Sequence, residues 1–229
     1  MRIAVDGMGG DNAPSEIVKG CVEAAEFIEE EILLVGDAKR IQHELDQLKY
    51  HGDRIKIVHA GEVILNDDTP VRAVRTKTDS SMVKGINLLK NQEADIFISA
   101  GNTGALMAAG LFILGRIQGI DRPAIAATYP VVGKGGVSLL VDAGANVECK
   151  PNNLLEFATM GSIYMQKVLD VEDPRVGLIN IGSEETKGTT VIKAAYELLD
   201  RSSVNFIGNI EARELPKGVA DVMVCDGFV

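Results

Sequence analysis

The sequence predicts a three-layer α/β protein with a mostly parallel sheet and one antiparallel hairpin. Short apolar runs of strand type alternate along the chain with patterns of helical spacing. This alternation is typical of a parallel sheet that carries helices on both faces. Two apolar runs, 125–132 and 137–141, flank Gly133–Gly136 and predict the hairpin.

Each element follows from its local pattern. Residues 3–6 form the first strand, and Pro14 begins a helix whose apolar positions keep helical spacing through Glu30. Asp37 is expected to cap the helix that follows the second strand and ends at Leu48. The other predicted strands are 32–35, 55–59, 95–99, 176–181, 204–207 and 219–225, and the other predicted helices run from Thr103 to Arg116 or Ile117 and, after 176–181, through Leu199.

Composition and charge limit the class of protein. A chain of 229 residues with 46% hydrophobic and 24% charged residues is ordinary for a globular protein. A net charge of −10 argues against general nucleic-acid binding, which requires a basic surface. The three cysteines lie far apart and form no C-x-x-C pair, so neither a disulfide framework nor a metal site is predicted. We expect a cytoplasmic protein, since the strand pattern begins at once without a signal peptide.

The C-terminal residues suggest a longer protein. Residues 221–229 read as a buried strand followed by the start of a glycine turn, from which an α/β unit would continue into a helix. We therefore expect a single α/β domain over 1–229 that lacks a C-terminal part.

The segment 95–105 carries the most informative motif. An apolar strand ends at Ser99, and a glycine-rich turn opens onto the apolar helix that begins near Thr103. Gly101 and Gly104 would let a ligand approach backbone N–H groups at a helix N-terminus, where the dipole favours negative charge. The segment predicts a phosphate site formed by Ser99, Gly101, Asn102, Thr103 and Gly104. An ordinary strand-to-helix turn with Asn102 as its cap explains the same residues equally well.

Small and polar residues also follow the other predicted strands. Because ligands of such sheets bind outside the carboxyl ends of the strands, we expect these residues to line a common pocket. Lys187 is the best single candidate for an anion contact, although a surface lysine would give the same pattern. The candidate substrate-binding residues are Gly9, Gly10, Asp11, Asp142, Asn146 and Glu184, and the candidate catalytic residues are Lys187, Asp226 and Asn209.

A basic cluster lies in and after the long polar stretch 61–80. Loops of this length inside compact domains are often lids or binding segments. The cluster consists of Arg72, Arg75, Lys77 and Lys84 in an otherwise acidic protein. A solvated charged turn is the simpler interpretation of these residues, and partner docking is the alternative.

Other chemistries have little support. Gly7, Gly9 and Gly10 resemble a dinucleotide loop, but Asn12 occupies the third glycine position of G-x-G-x-x-G. The sequence has no G-x-S-x-G elbow, no Walker A lysine motif and no H-E-x-x-H motif. Glycine, Asn and Asp with one Lys suit a reaction whose substrate supplies the nucleophile, as inorganic phosphate does.

Taken together, six segments resemble the phosphate acyltransferase family of bacterial phospholipid synthesis, the PlsX type. They run in order from residue 3 to near the end, and they are specific as a set although each is weak alone. The segments are Ile3–Pro14, Pro70–Arg75, Ser99–Ala105, Gly119–Pro123, Asp142–Asn146 and Asn205–Arg213.

The resemblance implies both a fold and an activity. The fold would be similar to that of phosphate acetyltransferases and of the isocitrate and isopropylmalate dehydrogenases. The activity would be transfer of a fatty acyl group from acyl carrier protein to inorganic phosphate, giving acyl phosphate for phospholipid synthesis without a nicotinamide cofactor or a metal. The resemblance also implies a cytoplasmic homodimer that associates peripherally with the membrane, in a family whose members continue past Phe228.

On this basis we expect phosphate to be held by backbone amides of the Ser99–Gly104 loop and by Lys187, and to attack the thioester carbonyl directly. The basic cluster would dock the acidic carrier protein. Two other classes remain open. The first glycine turn would suit a dehydrogenase on the related fold, and the basic cluster would suit a non-catalytic scaffold that binds carrier protein.

Overall fold

A computed structural model describes residues 1–132 and 136–228 of the chain. The chain divides into two compact units, Met1–Gly115 and Arg116–Val229. The predicted fold class is confirmed, because the strands are mostly parallel with one antiparallel pair. The strands form two sheets, of four and five strands, which the alternation of elements alone does not predict. The single domain over 1–229 stays a prediction.

The first unit contains a parallel sheet in the order β3-β2-β1-β4. Its carboxyl strand ends therefore lie at one edge, with the ends of β1 and β4 side by side. The strands are β1 (Arg2–Asp6), β2 (Glu31–Gly36), β3 (Ile55–His59) and β4 (Ile96–Ile98); the helices are α1 (Ser15–Ala24), α2 (Ala38–Gln47), α3 (Pro70–Thr76), α4 (Ser81–Lys90) and α5 (Thr103–Ala109), which continues as a π-helical turn (Gly110–Leu114).

Alternate residues of the central strands bury the two faces of this sheet. Ile32 and Leu34 of β2 pack in the cluster that includes α1 and α2. Leu33 and Val35 of the same strand pack on the opposite face, in the cluster to which α4 contributes. Because strand side chains alternate between faces, this arrangement makes the unit a three-layer sandwich.

The second unit contains a mixed sheet in the order β5-β6-β9-β7-β8. Among the described strands only β5 and β6 pair antiparallel, as the predicted hairpin requires; residues 133–135 of the predicted turn lie outside the described residues. The elements are β5 (Ala126–Pro130), β6 (Val137–Val141), α6 (Pro151–Val168), β7 (Arg175–Asn180), α7 (Thr190–Asp200), β8 (Asn205–Glu211), a 3₁₀ turn (Ala212–Lys217) and β9 (Val222–Val224).

The core of the second unit lies between its sheet and the helices α6 and α7. Phe157 of α6 and Leu199 of α7 are fully buried against Leu178 and Val222 of the central strands. A second cluster on the opposite face includes Met223 and is joined by Leu215 of the 3₁₀ turn. The sheet is thus buried on both faces, as its near-continuous apolar strands require.

Two element predictions differ from the structure. The first helix ends at Ala24 rather than Glu30, because the Arg54 guanidinium donates to the carbonyls of Ala25 and Ile28 at 2.7 Å and holds that segment as a turn. The stretch 61–80 is not one long loop, since Pro70 occupies the first turn of α3. The predicted cap of α2 is confirmed, because the Asp37 carboxylate accepts from the N–H groups two and three residues later.

Helix boundaries after residue 100 also differ from those predicted. The helix that begins at Thr103 changes to a π-helical turn at Gly110 and ends at Leu114. Gly115 follows it with a φ of +88°, which disfavours other residues. The sequence patterns predicted neither α4 nor α6, which is the longest helix among the described residues. Among residues 1–132 and 136–228, no helix has both the length and the apolar character that crossing a bilayer requires.

Two helix glycines should respond in opposite ways to substitution by alanine. A Cβ on Gly161 of α6 would lie 2.6 Å from Val222 Cγ1, whereas a Cβ on Gly20 of α1 would have no neighbour within 4 Å. We expect Gly161→Ala to lower the free energy of unfolding by about 1–3 kcal/mol through overpacking. We expect Gly20→Ala to raise it by about 0.5–1 kcal/mol through helix propensity. Urea unfolding of both variants tests this, and equal shifts in one direction would contradict the packing of α6 on β9.

Candidate functional site

A chain of hydrogen bonds joins the ends of β1 and β4 in the first unit. Asp6, whose side chain is only 2% exposed, accepts from the Ser99 hydroxyl at 2.8 Å and from the Met8 N–H at 3.1 Å. The Ser99 hydroxyl in turn accepts from the Gly101 N–H at 3.1 Å. The predicted phosphate residue Ser99 therefore uses its hydroxyl to join the two loops, and the Gly101 N–H is already engaged.

The glycines of these loops permit close approach of backbone to backbone. A Cβ on Gly9 would overlap the Asp6 carboxylate and lie 3.0 Å from the Gly101 nitrogen. A Cβ on Gly101 would lie 3.2 Å from Gly9 Cα, and Gly10 has a φ of +112°. The structure thus brings together Gly9, Gly10 and Gly101, which the sequence singled out in two separate motifs.

Asn102 is the cap of α5 and also a clamp. Its Oδ1 accepts from the Ala105 N–H at 2.9 Å, and its Nδ2 lies 3.1–3.2 Å from the carbonyls of Leu65, Asn66 and Asp68. The side chain is buried. The alternative interpretation of Asn102 as an ordinary cap therefore describes its side chain, and a phosphate contact there would have to come from backbone.

The remaining donors of this turn belong to Thr103 and Gly104. The N–H groups of a first helical turn have no intrahelical partner, and both residues are exposed. Gly104 has a second reason to be glycine, because a Cβ would lie 2.8 Å from Cγ of Pro70 in α3. Asp11 of the β1 loop accepts from the Asn66 side chain at 2.9 Å, which ties that loop to the segment that Asn102 clamps.

Ion pairs within the first unit neutralise half of the basic cluster. Lys77 pairs with Asp68 and donates to a backbone carbonyl at 2.9 Å, and Lys84 pairs with Asp79 and donates to another carbonyl at 2.8 Å. The two ammonium groups lower the pKa of these carboxylates. The other members, Arg72 and Arg75, are exposed, and the Arg75 guanidinium lies 5.1 Å from the centre of the Phe112 ring.

In the second unit, the Asp142 carboxylate organises the loop after β6. It is 1% exposed and accepts from the N–H groups of Ile125, Ala145 and Asn146 and from the Asn146 side chain, at 2.7–3.2 Å. The Gly227 N–H donates to the Asn146 carbonyl at 2.7 Å, which locks the loop to the turn after β9. Asp142 and Asn146 therefore lie in one loop, and their polar groups hold that loop together.

Two asparagines hold the loop 181–189, which carries Lys187. The Asn180 side chain donates to the Lys187 carbonyl at 3.2 Å, and the Asn209 side chain donates to the Glu184 carbonyl at 2.9 Å. Gly188 has a φ of +87°, and a Cβ there would lie 2.7 Å from Asn180 Oδ1. Asn209, predicted as catalytic, is 7% exposed and lies beneath this loop.

The Lys187 ammonium lies on the surface of that loop. Its nearest carboxylate oxygen is that of Glu184, at 4.0 Å, and the two side chains are 49% and 63% exposed. A pair at this distance and exposure contributes little, so the ammonium can bind another anion.

A cavity of about 1010 Å³ opens at the carboxyl ends of the parallel strands of the second unit. Ligands of such sheets bind at this edge, and pockets for small molecules are concave and mostly apolar. Asp226 lines it together with residues that follow three other strands. The lining residues are Val147, Glu148, Cys149, Leu154, Ile179, Asn180, Ile181, Gly188, Thr189, Val191, Ile192, Glu211, Ala212, Arg213, Cys225 and Asp226.

Two thiols line this cavity. Burial, together with the charge of nearby Asp226, raises the pKa of Cys225 to about 12. Burial also raises the pKa of the partly exposed Cys149. Because the thiolate is the nucleophile, neither cysteine is suited to nucleophilic catalysis at neutral pH.

Sequence reasoning missed several of the residues that shape these sites. Asp6, Asn180, Glu211 and Arg213 each stand at or just after the end of a strand, which is the signal that found their neighbours. Among the residues that the structure describes, no group of three His, Cys, Asp or Glu side chains is arranged to hold a metal ion.

The whole chain, residues 1–229, matches the model of a family described as fatty acid synthesis protein. It is 54% identical over 228 residues to a phosphate acyltransferase of Alkaliphilus oremlandii, covering 100% of this chain and 68% of that protein. It is 54% identical over 229 residues to a phosphate acyltransferase of Acetivibrio thermocellus, covering 100% and 67%. The chain thus spans about two thirds of the length of these relatives.

Solved structures show the same fold at low sequence identity. A phosphotransacetylase from Streptococcus pyogenes superposes with a TM-score of 0.72 at 16% identity, covering 100% of this chain and 78% of that chain. A 4-hydroxythreonine-4-phosphate dehydrogenase from Burkholderia phymatum gives a TM-score of 0.56 at 15% identity, covering 97% and 78%. The same fold class therefore occurs in acyl-transfer enzymes and in dehydrogenases.

The clamp formed by Asn102 can be tested by substitution. We expect Asn102→Ala to lower the free energy of unfolding by about 1–2 kcal/mol, because α5 loses its cap and three carbonyls lose a donor. Hydrogen exchange at residues 65–69 should accelerate, since that segment would be released. Asn91→Ala is the matched control, because that exposed side chain bonds only to Glu93 among the described residues and should change stability little. Unchanged exchange at 65–69 in the Asn102 variant would contradict the clamp.

Proposed function

We propose that this chain, which belongs to the fatty acid synthesis protein family as a phosphate acyltransferase of the PlsX type, takes its acyl group from acyl carrier protein. Family membership establishes an acyltransferase that acts on phosphate. The carrier-bound donor and the use of the product in phospholipid synthesis are our proposals. The product would be acyl phosphate, which can donate its acyl group to glycerol 3-phosphate.

The observation that carries this proposal is the cavity of the second unit. It combines an apolar interior with polar groups from the ends of several strands, and it borders the loop that presents Lys187. A thioester of a fatty acid needs both an apolar site and a polar site for the reacting carbonyl.

The proposed reaction needs no nucleophile from the protein. An oxygen of hydrogen phosphate attacks the thioester carbonyl carbon and forms a tetrahedral oxyanion. The carbon–sulfur bond then breaks, and the proton of hydrogen phosphate passes to the departing thiolate. The products are acyl phosphate and the free thiol of the carrier.

The side chains of the second unit have distinct roles in this proposal. Lys187 stabilises the developing oxyanion or the phosphate charge, as preorganised cations do in acyl transfer. Asp226 lies in the cavity lining and orients the donor. Asn209 and Glu184 act through the loop, because the Asn209 amide holds the Glu184 carbonyl. Asp142 and Asn146 fix the loop after β6 rather than contact the donor.

In the first unit, we propose that phosphate binds to backbone N–H groups of the turn that begins α5. The free donors there are those of Thr103 and Gly104. Ser99, Gly101 and Asn102 shape the turn through their hydrogen bonds, and Gly9, Gly10 and Asp11 hold the adjacent loop against it.

We propose further that the carrier docks at Arg72 and Arg75. Acyl carrier protein is acidic, and these two guanidinium groups are exposed, whereas Lys77 and Lys84 are paired internally. We also propose that the protein works as a cytoplasmic homodimer with peripheral membrane contact, as the family resemblance implies.

The proposed reaction can be tested with palmitoyl-acyl carrier protein. The protein is mixed with this donor with and without phosphate, and acyl phosphate is trapped with hydroxylamine. Phosphate-dependent release of free carrier together with trapped product is the expected result. Carrier binding without release of free carrier would instead indicate a scaffold. Release of free carrier at the same rate with and without phosphate would indicate a hydrolase.

Lys187→Ala should lower turnover of palmitoyl-acyl carrier protein by about 10²–10³, as the loss of one oxyanion donor does. Lys193→Ala is the matched control, because Lys193 is an exposed lysine of α7 that lies outside the loop 181–189. Steady-state kinetics with thermal unfolding of both variants provides the measurement. Near-normal turnover of the Lys187 variant would remove the lysine from the mechanism.

Charge reversal at the docking residues should weaken carrier binding. We expect the double variant Arg72→Glu, Arg75→Glu to raise the KM for acyl carrier protein and to flatten its salt dependence, because electrostatic steering is lost. The double variant Lys19→Glu, Arg40→Glu makes the same change in net charge at exposed residues of α1 and α2. Equal effects of the two double variants would show that only net charge matters.

A further inference from the structure

The cavity of the second unit has an apolar wall and floor. Its most buried lining residues are Leu154, Ile179 and Cys225, at 0%, 6% and 1% exposure, and these form the floor. Val191 and Ile192, in the first turn of α7, are partly buried and form a wall. A volume of about 1010 Å³ is at the upper end of the range of pockets that enclose small molecules.

The charges that line this cavity are mostly negative. Glu148, Glu211 and Asp226 contribute three carboxylates. Among the described residues that line the cavity, Arg213 is the one cation, and its guanidinium donates to Glu211 at 2.9 Å. A phosphate dianion is therefore disfavoured here by like charge, whereas a neutral apolar chain meets no such penalty.

We propose that this cavity holds the apolar chain of the acyl donor, and that Val191 and Ile192 limit the chain length it accepts. This assignment rests on the proposed function, since it deepens the same site by naming the part of the substrate that the second unit binds. Burial of a long chain on this wall and floor supplies affinity in proportion to its apolar area. Each methylene that the cavity accepts or excludes changes the discrimination between acyl donors of different chain length substantially.

Cys149 offers a direct readout of occupancy. It lines the cavity and is partly exposed, whereas Cys21 and Cys225 are buried at 6% and 1% exposure. Alkylation by N-ethylmaleimide under mildly alkaline conditions should therefore report on Cys149, with mass spectrometry to locate the label.

The first test compares neutral thioesters and phosphate as protecting ligands. Palmitoyl-pantetheine at about ten times its Kd should slow labelling of Cys149 about tenfold, because only the unoccupied fraction reacts. Acetyl-pantetheine and inorganic phosphate at the same concentrations should slow it by less than about twofold. Unprotected Cys149 with palmitoyl-pantetheine, or equal protection by phosphate, would overturn the assignment.

The second test narrows the cavity by enlarging one residue of its wall. Val191→Phe should lower kcat/KM for palmitoyl-acyl carrier protein about tenfold or more, and leave that for butyryl-acyl carrier protein within about twofold. Val168→Phe is the matched control, because Val168 is 54% exposed at the end of α6 and does not line the cavity. Equal losses for both donors in a Val191 variant that unfolds at the wild-type temperature would overturn the role of the wall.

The two proposals can fail separately. If the wild-type protein releases no carrier from either donor in the presence of phosphate, the proposed function fails. Protection of Cys149 by palmitoyl-pantetheine would then still decide whether the cavity binds an acyl chain, because that measurement needs no turnover and no variant.

Discussion

The buried carboxylate of Asp142 determines the shape of the site in the second unit. A charge that is 1% exposed is tolerated only when hydrogen bonds replace water, and here the bonds come from Ile125, Ala145 and Asn146. Those bonds fold the residues after β6 into a tight loop. Gly227 fits against this loop because it has no Cβ, and a Cβ there would lie 2.8 Å from the Asn146 nitrogen. The turn that carries Asp226 is thereby fixed at the cavity edge.

A second constraint comes from one extra residue in β8. The pairing of β7 with β8 shifts between Val176 and Leu178, and Gly208 at the shift has a φ of +96°. Because side chains alternate along a strand, an extra residue reverses which face the following residues occupy. The shift puts Asn209 opposite Leu178, where its amide reaches the loop that presents Lys187.

The sequence could predict the elements of this fold where local pattern and long-range packing agree. Local sequence could predict the alternation of strands and helices, the hairpin and the cap at Asp37, because each depends on neighbours in the chain. Local sequence could not predict the functions of Gly104 and Asn102. Gly104 depends on Pro70, and Asn102 depends on carbonyls more than thirty residues away. The cavity was predicted only as a convergence of strand ends, since its volume depends on the packing of α6 and α7.

Ion pairing divides the cations of the candidate sites into those that hold the fold and those that are available to a ligand. Lys77 and Lys84 hold the segments around α3 to the ends of neighbouring elements through carboxylates and carbonyls, so each is committed to the fold. Arg72, Arg75 and Lys187 are exposed and have no such ties among the described contacts beyond a distant carboxylate or an aromatic ring. In a protein of net charge −10, an anionic substrate or an acidic carrier is attracted only where such cations remain available. The paired lysines Lys77 and Lys84 therefore serve as the internal standard against which substitution of Arg72, Arg75 and Lys187 should be judged.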